Sequence, residues 1–322
     1  MRVVVEAGAR LHLGFLDLNG ECGRVFGSVG VAIEHPRCIV EARPASRPEA
    51  VGESAGDGLE VLRNLGRSLC ADPNVAVRAV EAIPRHAGLG SGTQLRLAVA
   101  LAASRVLDRP LAVRELARLA GRGRRSGIGI AVFEQGGVVV DAGHRTGPHE
   151  AGRDEEPPPV TLRHQVPDDW RFVIVTPANA RGLSGPSEEH VFRTLPPMSG
   201  EQVGRICRLI LMKAAPAIVT DDIQAFGEAI SEVQRLVGEH FAPYQGGEVY
   251  ASPTGHRAVE LALKRGAVGV GQSSWGPTVF ALTRGQEAAA NLVEELEGVL
   301  GDEAAVWCTR ARNRGAGCRV EP

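Results

Sequence analysis

At 322 residues the chain is long enough to bury a full α/β core, in one large domain or two smaller ones. A formal net charge of −2 supplies no basic field, which sets nucleic-acid binding aside. No stretch approaches the ~20 apolar residues of a membrane span, and Glu6 and Arg10 interrupt any secretory apolar segment. A soluble, cytoplasmic protein with no membrane partner is expected.

The basic residues are almost all arginine, with only Lys213 and Lys264 as lysines, so any phosphate or carboxylate clamp must be built from guanidinium forks. Cys22, Cys38, Cys70, Cys207, Cys308 and Cys318 are scattered without a CxxC pair. They read as free thiols rather than a zinc site or a disulfide framework.

In chain order, residues 3–13 and 28–33 read as strands, joined by a loop carrying Asp17, Asn19 and Arg24. Residues 75–83 alternate as a third strand and run into PRHAGLGSGTQ (84–94), after which residues 95–107 show helical periodicity. A second helix over 111–120 ends at Gly121, and an arginine-rich loop then leads through a short helix to a strand over 138–141. Residues 146–167 are rich in Pro, Gly and acid and read as a connector, with unremarkable loop histidines at His144 and His149. The second half is predicted as a strand over 171–177, a helix capped by Ser187, and helices over 201–215, 222–238 and 255–265. A strand–loop–strand over 267–283, a helix over 286–300 and a strand over 304–309 close the chain. The expected division is 1–160 and 161–322.

Three constellations carry chemistry. Gly88, Leu89, Gly90, Ser91, Gly92 and Thr93 stand between a strand and a long helix, where free N–H groups at a helix start can wrap a phosphate. Ser91 and Thr93 add hydroxyls for phosphate or Mg²⁺. No lysine follows as in a Walker A loop, and the same turn could serve helix packing alone. In GRGRRSGIG (121–129), Arg122, Arg124, Arg125 and Ser126 form either a solvated basic turn or a bidentate clamp on phosphate or carboxylate. A second Gly/Ser loop, GVGQSSWGP (269–277), carries Ser273, Ser274, Trp275 and Gly276 and reads as a hairpin turn or as the opposite wall of a cleft.

PRHAGLGSGTQ resembles the phosphate motif of the GHMP small-molecule kinases, GQSSWGPTVFAL resembles their C-terminal glycine motif, and GARLHLGFLDLNG resembles their N-terminal motif. The resemblance implies an α+β, two-domain GHMP-kinase fold: an N-terminal βαβ domain with a left-handed crossover and a ferredoxin-like C-terminal domain. Many of these kinases carry a catalytic Asp where this chain has Gly129, so an ordinary kinase is disfavoured. ARLHLGFLDLNG, the GRVFGSVGVAIE stretch from Gly23 and GRGRRSGIGIAVFEQGG are similar to the β-ribofuranosylaminobenzene 5′-phosphate synthase family.

That resemblance implies a glycosyltransferase of methanopterin-type biosynthesis. It would join phosphoribosyl pyrophosphate (PRPP) to 4-aminobenzoate or a 4-hydroxybenzoate-like arene, releasing CO₂ and pyrophosphate with Mg²⁺ as Lewis acid. Loss of CO₂ restores aromaticity, so no base is needed at position 129. The implied assignment puts pyrophosphate on residues 88–93, and the 5-phosphate or benzoate carboxylate on Arg122, Arg124 or Arg125. Arg10, His12, Asp17 and Arg24 would line the same cleft. Asp17, Glu134 or Asp141 would bind Mg²⁺ or steady the cationic ribose, with Thr93 as a further metal ligand, and Phe26 and Trp275 would stack on the arene. The rivals are a kinase using another acid and a non-catalytic sugar- or nucleotide-sensing relative. A homodimer is a guess that nothing in the sequence decides.

Overall fold

The computed structural model describes residues 1–123, 125–147, 156–180, 182 and 185–322. The chain opens with β1 (Arg2–Phe15), β2 (Arg24–Val25), β3 (Ser28–Pro44), β4 (Glu49–Val51), α1 (Ala55–Leu69), β5 (Val75–Glu81) and α2 (Ser91–Val106). α3 (Val113–Leu119), α4 (Ile128–Gln135), β6 (Val138–Asp141), β7 (His144–Arg145) and β8 (Val160–His164) follow. Next come β9 (Trp170–Pro177), α5 (Pro186–Thr194), α6 (Gly200–Leu209), a π-helical turn over Ile210–Ala214, α7 (Ala215–Val219) and α8 (Ile223–Phe241). The chain ends through α9 (Pro253–Lys264), β10 (Gly269–Gln272), β11 (Val279–Arg284), α10 (Gln286–Leu300), β12 (Ala304–Arg310) and β13 (Gly317–Glu321).

The first sheet runs β13-β1-β3-β5-β4, with β6 on the other end of β3 and β8 beyond it. β1 and β3 are apolar on both faces because α2 and α4 pack against both strands and α8 packs against β1. α2 is apolar around most of its circumference and is buried accordingly, which fixes its N-terminal loop on a rigid element. β4 and β5 pair in parallel across α1. The second sheet is antiparallel in the order β10-β11-β9-β12, with α9 and α10 packed on it, and is the ferredoxin-like arrangement expected. α8 touches both β10 and β1 and so joins the halves.

The expected boundary at residue 160 falls at the start of β8, which pairs with β6 in the first sheet. β13 also returns to that sheet, against β1. α1 was not foreseen because Gly56, Gly58 and Gly66 dilute its period, although Val61, Leu62 and Leu65 form its buried stripe. The helix expected over 201–215 breaks at the π-helical turn, just ahead of Pro216 in the first turn of α7. Proline has no N–H to continue the ladder, and a wider turn absorbs the defect. The helix expected to be capped by Ser187 starts at Pro186, with Gly185 in the cap position. All six cysteines are free, as expected.

Candidate active site

The Gly88–Thr93 loop is built by backbone contact between the two glycine loops. Gly88 has φ +81, and a Cβ there would lie 2.2 Å from the Ser273 carbonyl oxygen, so only glycine fits both the conformation and the space. Ser273, fully buried, donates its hydroxyl to the Gly88 carbonyl at 2.7 Å and accepts the His12 N–H at 3.0 Å. Arg10 donates Nη1 to the same Gly88 carbonyl, and its N–H bonds the Leu89 carbonyl at 3.1 Å. Ser273 and Gly276 therefore buttress the loop rather than face it across a cleft. Gly90 caps α2 and accepts the N–H groups of Thr93 and Gln94, each at 3.1 Å, and Ser91, Gly92 and Thr93 at this helix start line the adjoining space.

That space is a cleft of about 390 Å³ walled by the loop, Arg10, Arg122 and Glu188. Arg122 Nε is buried without a partner, and its Nη2 would stand 2.9 Å from a Cβ on Gly92. Burial, then Arg96 nearby, pulls the Arg122 pKa down against Asp57, Glu60 and Glu188. Burial brings Arg10 down to about 10, with Glu188 opposing. Arg125 reaches Glu188 at 3.3 Å, lies 4.8 Å over the Phe192 ring and keeps Nη1 buried and unpaired. Burial raises the Glu188 pKa, while Arg125, Arg10 and Arg122 lower it. Arg10, Arg122 and Arg125 thus all act on Glu188, with Asp57 and Glu60 also near Arg122. Arg124 lies outside the described residues.

Where a kinase of this fold would carry its Asp, Gly129 packs on Thr93: a Cβ would sit 2.9 Å from Thr93 Cγ2. Gln94 donates to the Gly129 carbonyl at 2.8 Å and ties the starts of α2 and α4 together.

Two family profiles match, the GHMP kinases N terminal domain over residues 58–137 and the GHMP kinases C terminal domain over residues 214–301. The chain is 33% identical to the "Beta-ribofuranosylphenol 5'-phosphate synthase" of Methanothermobacter thermautotrophicus, covering 98% of each chain. It is 35% identical to the protein of the same name from Archaeoglobus fulgidus, over 97% of this chain and 98% of that one. The chain belongs to the β-ribofuranosylphenol 5′-phosphate synthase family. A homoserine kinase of Methanopyrus kandleri is more distant, at 27% identity over 86% of this chain and 88% of its own. The homoserine kinase structure from Cytophaga hutchinsonii superposes with a TM-score of 0.68 at 16% identity, covering 99% of this chain and 97% of that chain. The likeness shows the shared fold. The family membership favours the synthase reading over the kinase one, and makes this chain a transferase on the GHMP scaffold.

In this synthase-family chain, five expected site residues make other contacts. Asp17 Oδ1 accepts the N–H groups of Asn19 and Gly20, each at 2.8 Å, in a tight turn of its own loop. Arg24 spends its fork on the Ala142 and Gly143 carbonyls, both at 2.7 Å. Asp141 is fully buried and accepts N–H groups from Gly127 at 2.9 Å and Gly143 at 2.8 Å, which fixes the entry into α4. Burial pushes its carboxyl up to about 7, against those backbone donors. Glu134 is exposed on the last turn of α4 and pairs with Gln135. Ser126 accepts the Ile128 N–H at 3.2 Å and starts the same helix.

The sequence reading missed Glu188, the carboxylate that does face the loop. Its signal was an acidic pair at a helix start after a Gly/Ser loop. Among the described residues no group of three or more His, Cys, Asp or Glu gathers as a metal cage. Ser91, Thr93 and Glu188 on one cleft do fit Mg²⁺ carried on a diphosphate, where phosphate and water fill most positions.

Phe26 and Trp275 belong to one aromatic cluster through Phe192, with ring centroids 5.5 and 5.7 Å from it. His12 joins it through Phe15 at 4.7 Å. Ser274, with φ +60, and Trp275 line a small cavity beside His12.

Proposed function

We propose that this chain transfers the ribosyl 5-phosphate of PRPP to a para-substituted benzoate, 4-aminobenzoate or its 4-hydroxy analogue, releasing CO₂ and pyrophosphate. It would do so in the cytoplasm, in tetrahydromethanopterin biosynthesis. The names of the family relatives describe a ribosylated phenol bearing a 5′-phosphate. The observation that carries the reading is that Arg10 and Arg122 line one cleft with the Gly88–Thr93 loop, and Arg125 reaches Glu188 on its wall, while Gly129 leaves no side chain to act as a kinase base.

The ring carbon bearing the carboxylate attacks the anomeric carbon as the bond to pyrophosphate breaks. The ring–carboxylate bond then breaks, its electron pair restores the aromatic system, and CO₂ leaves. No hydroxyl or C–H proton is removed, so the residues need only position the reactants and stabilise charge. The α2 N-terminus and Arg10 hold the departing diphosphate. Arg122 and Arg125 hold the 5-phosphate or the carboxylate as charge-assisted partners. When bound, magnesium supplies Lewis-acid charge to the leaving group, and Ser91, Thr93 and Glu188 would hold it.

Incubation with PRPP, Mg²⁺ and carboxyl-labelled arene tests this, following labelled CO₂ and pyrophosphate. Equal release of both is expected. ATP-dependent phosphorylation of a small alcohol, with no CO₂, would overturn the reading.

A further inference from the structure

Beside the arginine cleft lies a cavity of about 30 Å³, lined by His12, Phe15, Gln234, Phe241, Gln272 and Trp275 among others. That volume suits a single small group, since one water needs only about 10–15 Å³. His12 and Trp275 are 4% and 5% exposed, and both His12 Nε2 and Trp275 Nε1 are buried without a partner. Two such atoms on one small cavity are unusual, because buried polar groups are otherwise satisfied.

The glutamine side chains of the wall are spent. Gln234 donates to the Leu13 carbonyl at 2.8 Å and accepts the Gln272 N–H at 2.7 Å. Gln272 accepts the Ala251 N–H at 2.6 Å and donates to the Ser274 carbonyl at 3.1 Å. Gln245 donates to the Val249 carbonyl at 2.7 Å. His12 Nε2 and Trp275 Nε1, together with the Ser274 hydroxyl, are what this cavity offers a guest.

The cavity and the reaction cleft are lined by neighbouring residues of β1, His12 and Arg10. His12 is two residues beyond Arg10 on β1, on the same face and about 6.5–7 Å along the strand. Ser273 ties the His12 backbone to the phosphate loop. Burial, reinforced by Arg10, keeps the imidazole neutral, with a pKa lowered to about 3.

We infer that His12 and Trp275 read the para substituent of the arene and select oxygen there over nitrogen. This rests on the transfer reading above. Indole Nε1–H only donates, so its partner must accept. A phenol oxygen accepts from Trp275 and satisfies His12 in either neutral tautomer, as donor in one and acceptor in the other. An arylamine nitrogen has its lone pair delocalised into the ring, so it accepts poorly and leaves the indole N–H unpaired. The cavity takes the substituent, and the ring lies on the Arg10 side. His12 and Trp275 are thus positioning and specificity residues, remote from the bonds that change.

The test uses indole-¹⁵N-labelled protein with Mg²⁺ and pyrophosphate, titrated with 4-hydroxybenzoate or 4-aminobenzoate. The chain has 3 tryptophans, and Trp275→Phe assigns the resonance. The Trp275 N–H should move downfield with the hydroxy arene only, which should bind at least about tenfold tighter. With PRPP, kcat/KM should favour the hydroxy arene by a similar factor, and Trp275→Phe should bring the ratio to within about threefold of unity, chiefly through KM. Equal affinities, an unmoved Trp275 resonance or an unchanged ratio in Trp275→Phe would each overturn the inference. If neither arene releases CO₂, the transfer reading fails, while the wild-type binding arm still decides the pocket. That arm also decides it if the variant does not fold.

Discussion

Gly129 and Thr93 touch so closely that a Cβ on the first would lie 2.9 Å from Cγ2 of the second. One lies at the start of α4 and the other at the start of α2, so this contact sets how the arginine loop meets the Gly88–Thr93 loop. The glycine is therefore a packing requirement as well as the absence of a base.

Gly129→Asp should not create a kinase. The added carboxylate must displace Thr93, and overpacking of this kind costs about 1–3 kcal/mol. Denaturant unfolding should show that loss, and an ATP-coupled assay with small alcohols should stay at background. ATP turnover at unchanged stability would return the chain to the kinases.

Arg122 Nε is buried without a partner and Arg96 repels its charge, so the fold gains little from this guanidinium. Arg122→Gln should leave the unfolding midpoint within about 0.5 kcal/mol of wild type. Losing a charge-assisted bond should lower kcat/KM for PRPP roughly 10- to 100-fold. A large stability loss with unchanged kinetics would reassign the residue to structure.

Gly88→Ala should be among the most damaging small substitutions. It places a side chain at φ +81 and within 2.2 Å of the Ser273 carbonyl oxygen, with backbone on the far side unable to yield. The left-handed conformation alone costs about 1–2 kcal/mol, before the clash is counted. Thermal melts should show at least that loss, and pyrophosphate should no longer protect the variant against unfolding.

His12 makes the fold acid-sensitive. Its pKa is about 3 in the folded chain against an ordinary 6.5, so the unfolded chain takes up a proton that the folded chain refuses. The resulting stability is whole above about pH 6.5 and is lost progressively as pH falls toward 3. Unfolding free energies measured from about pH 7 to pH 4 should fall more steeply in wild type than in His12→Phe. Parallel curves would show that the imidazole accepts a proton in place.

Much was legible in the sequence because it depends on local chemistry. Gly88–Thr93 can only be a tight turn before a helix, the arginine loop reads as an anion clamp or a solvated turn, and Gly129 announces a missing acid. Asp17, Arg24 and Asp141 looked equally fit for a ligand, since a charged side chain in a glycine-rich loop reads the same whether it meets substrate or backbone. Their hydrogen bonds to nearby N–H and carbonyl groups emerge only once the turns close. Glu188 shows the converse. It lies far along the chain from Arg10 and Arg122, and only the docking of α5 beside the first-half cleft brings its carboxylate to them. The residue types, their order and the absent base were set by the sequence alone. Which charges face the ligand and which hold the fold was decided by packing between distant elements, because burial and partner geometry belong to the assembled core.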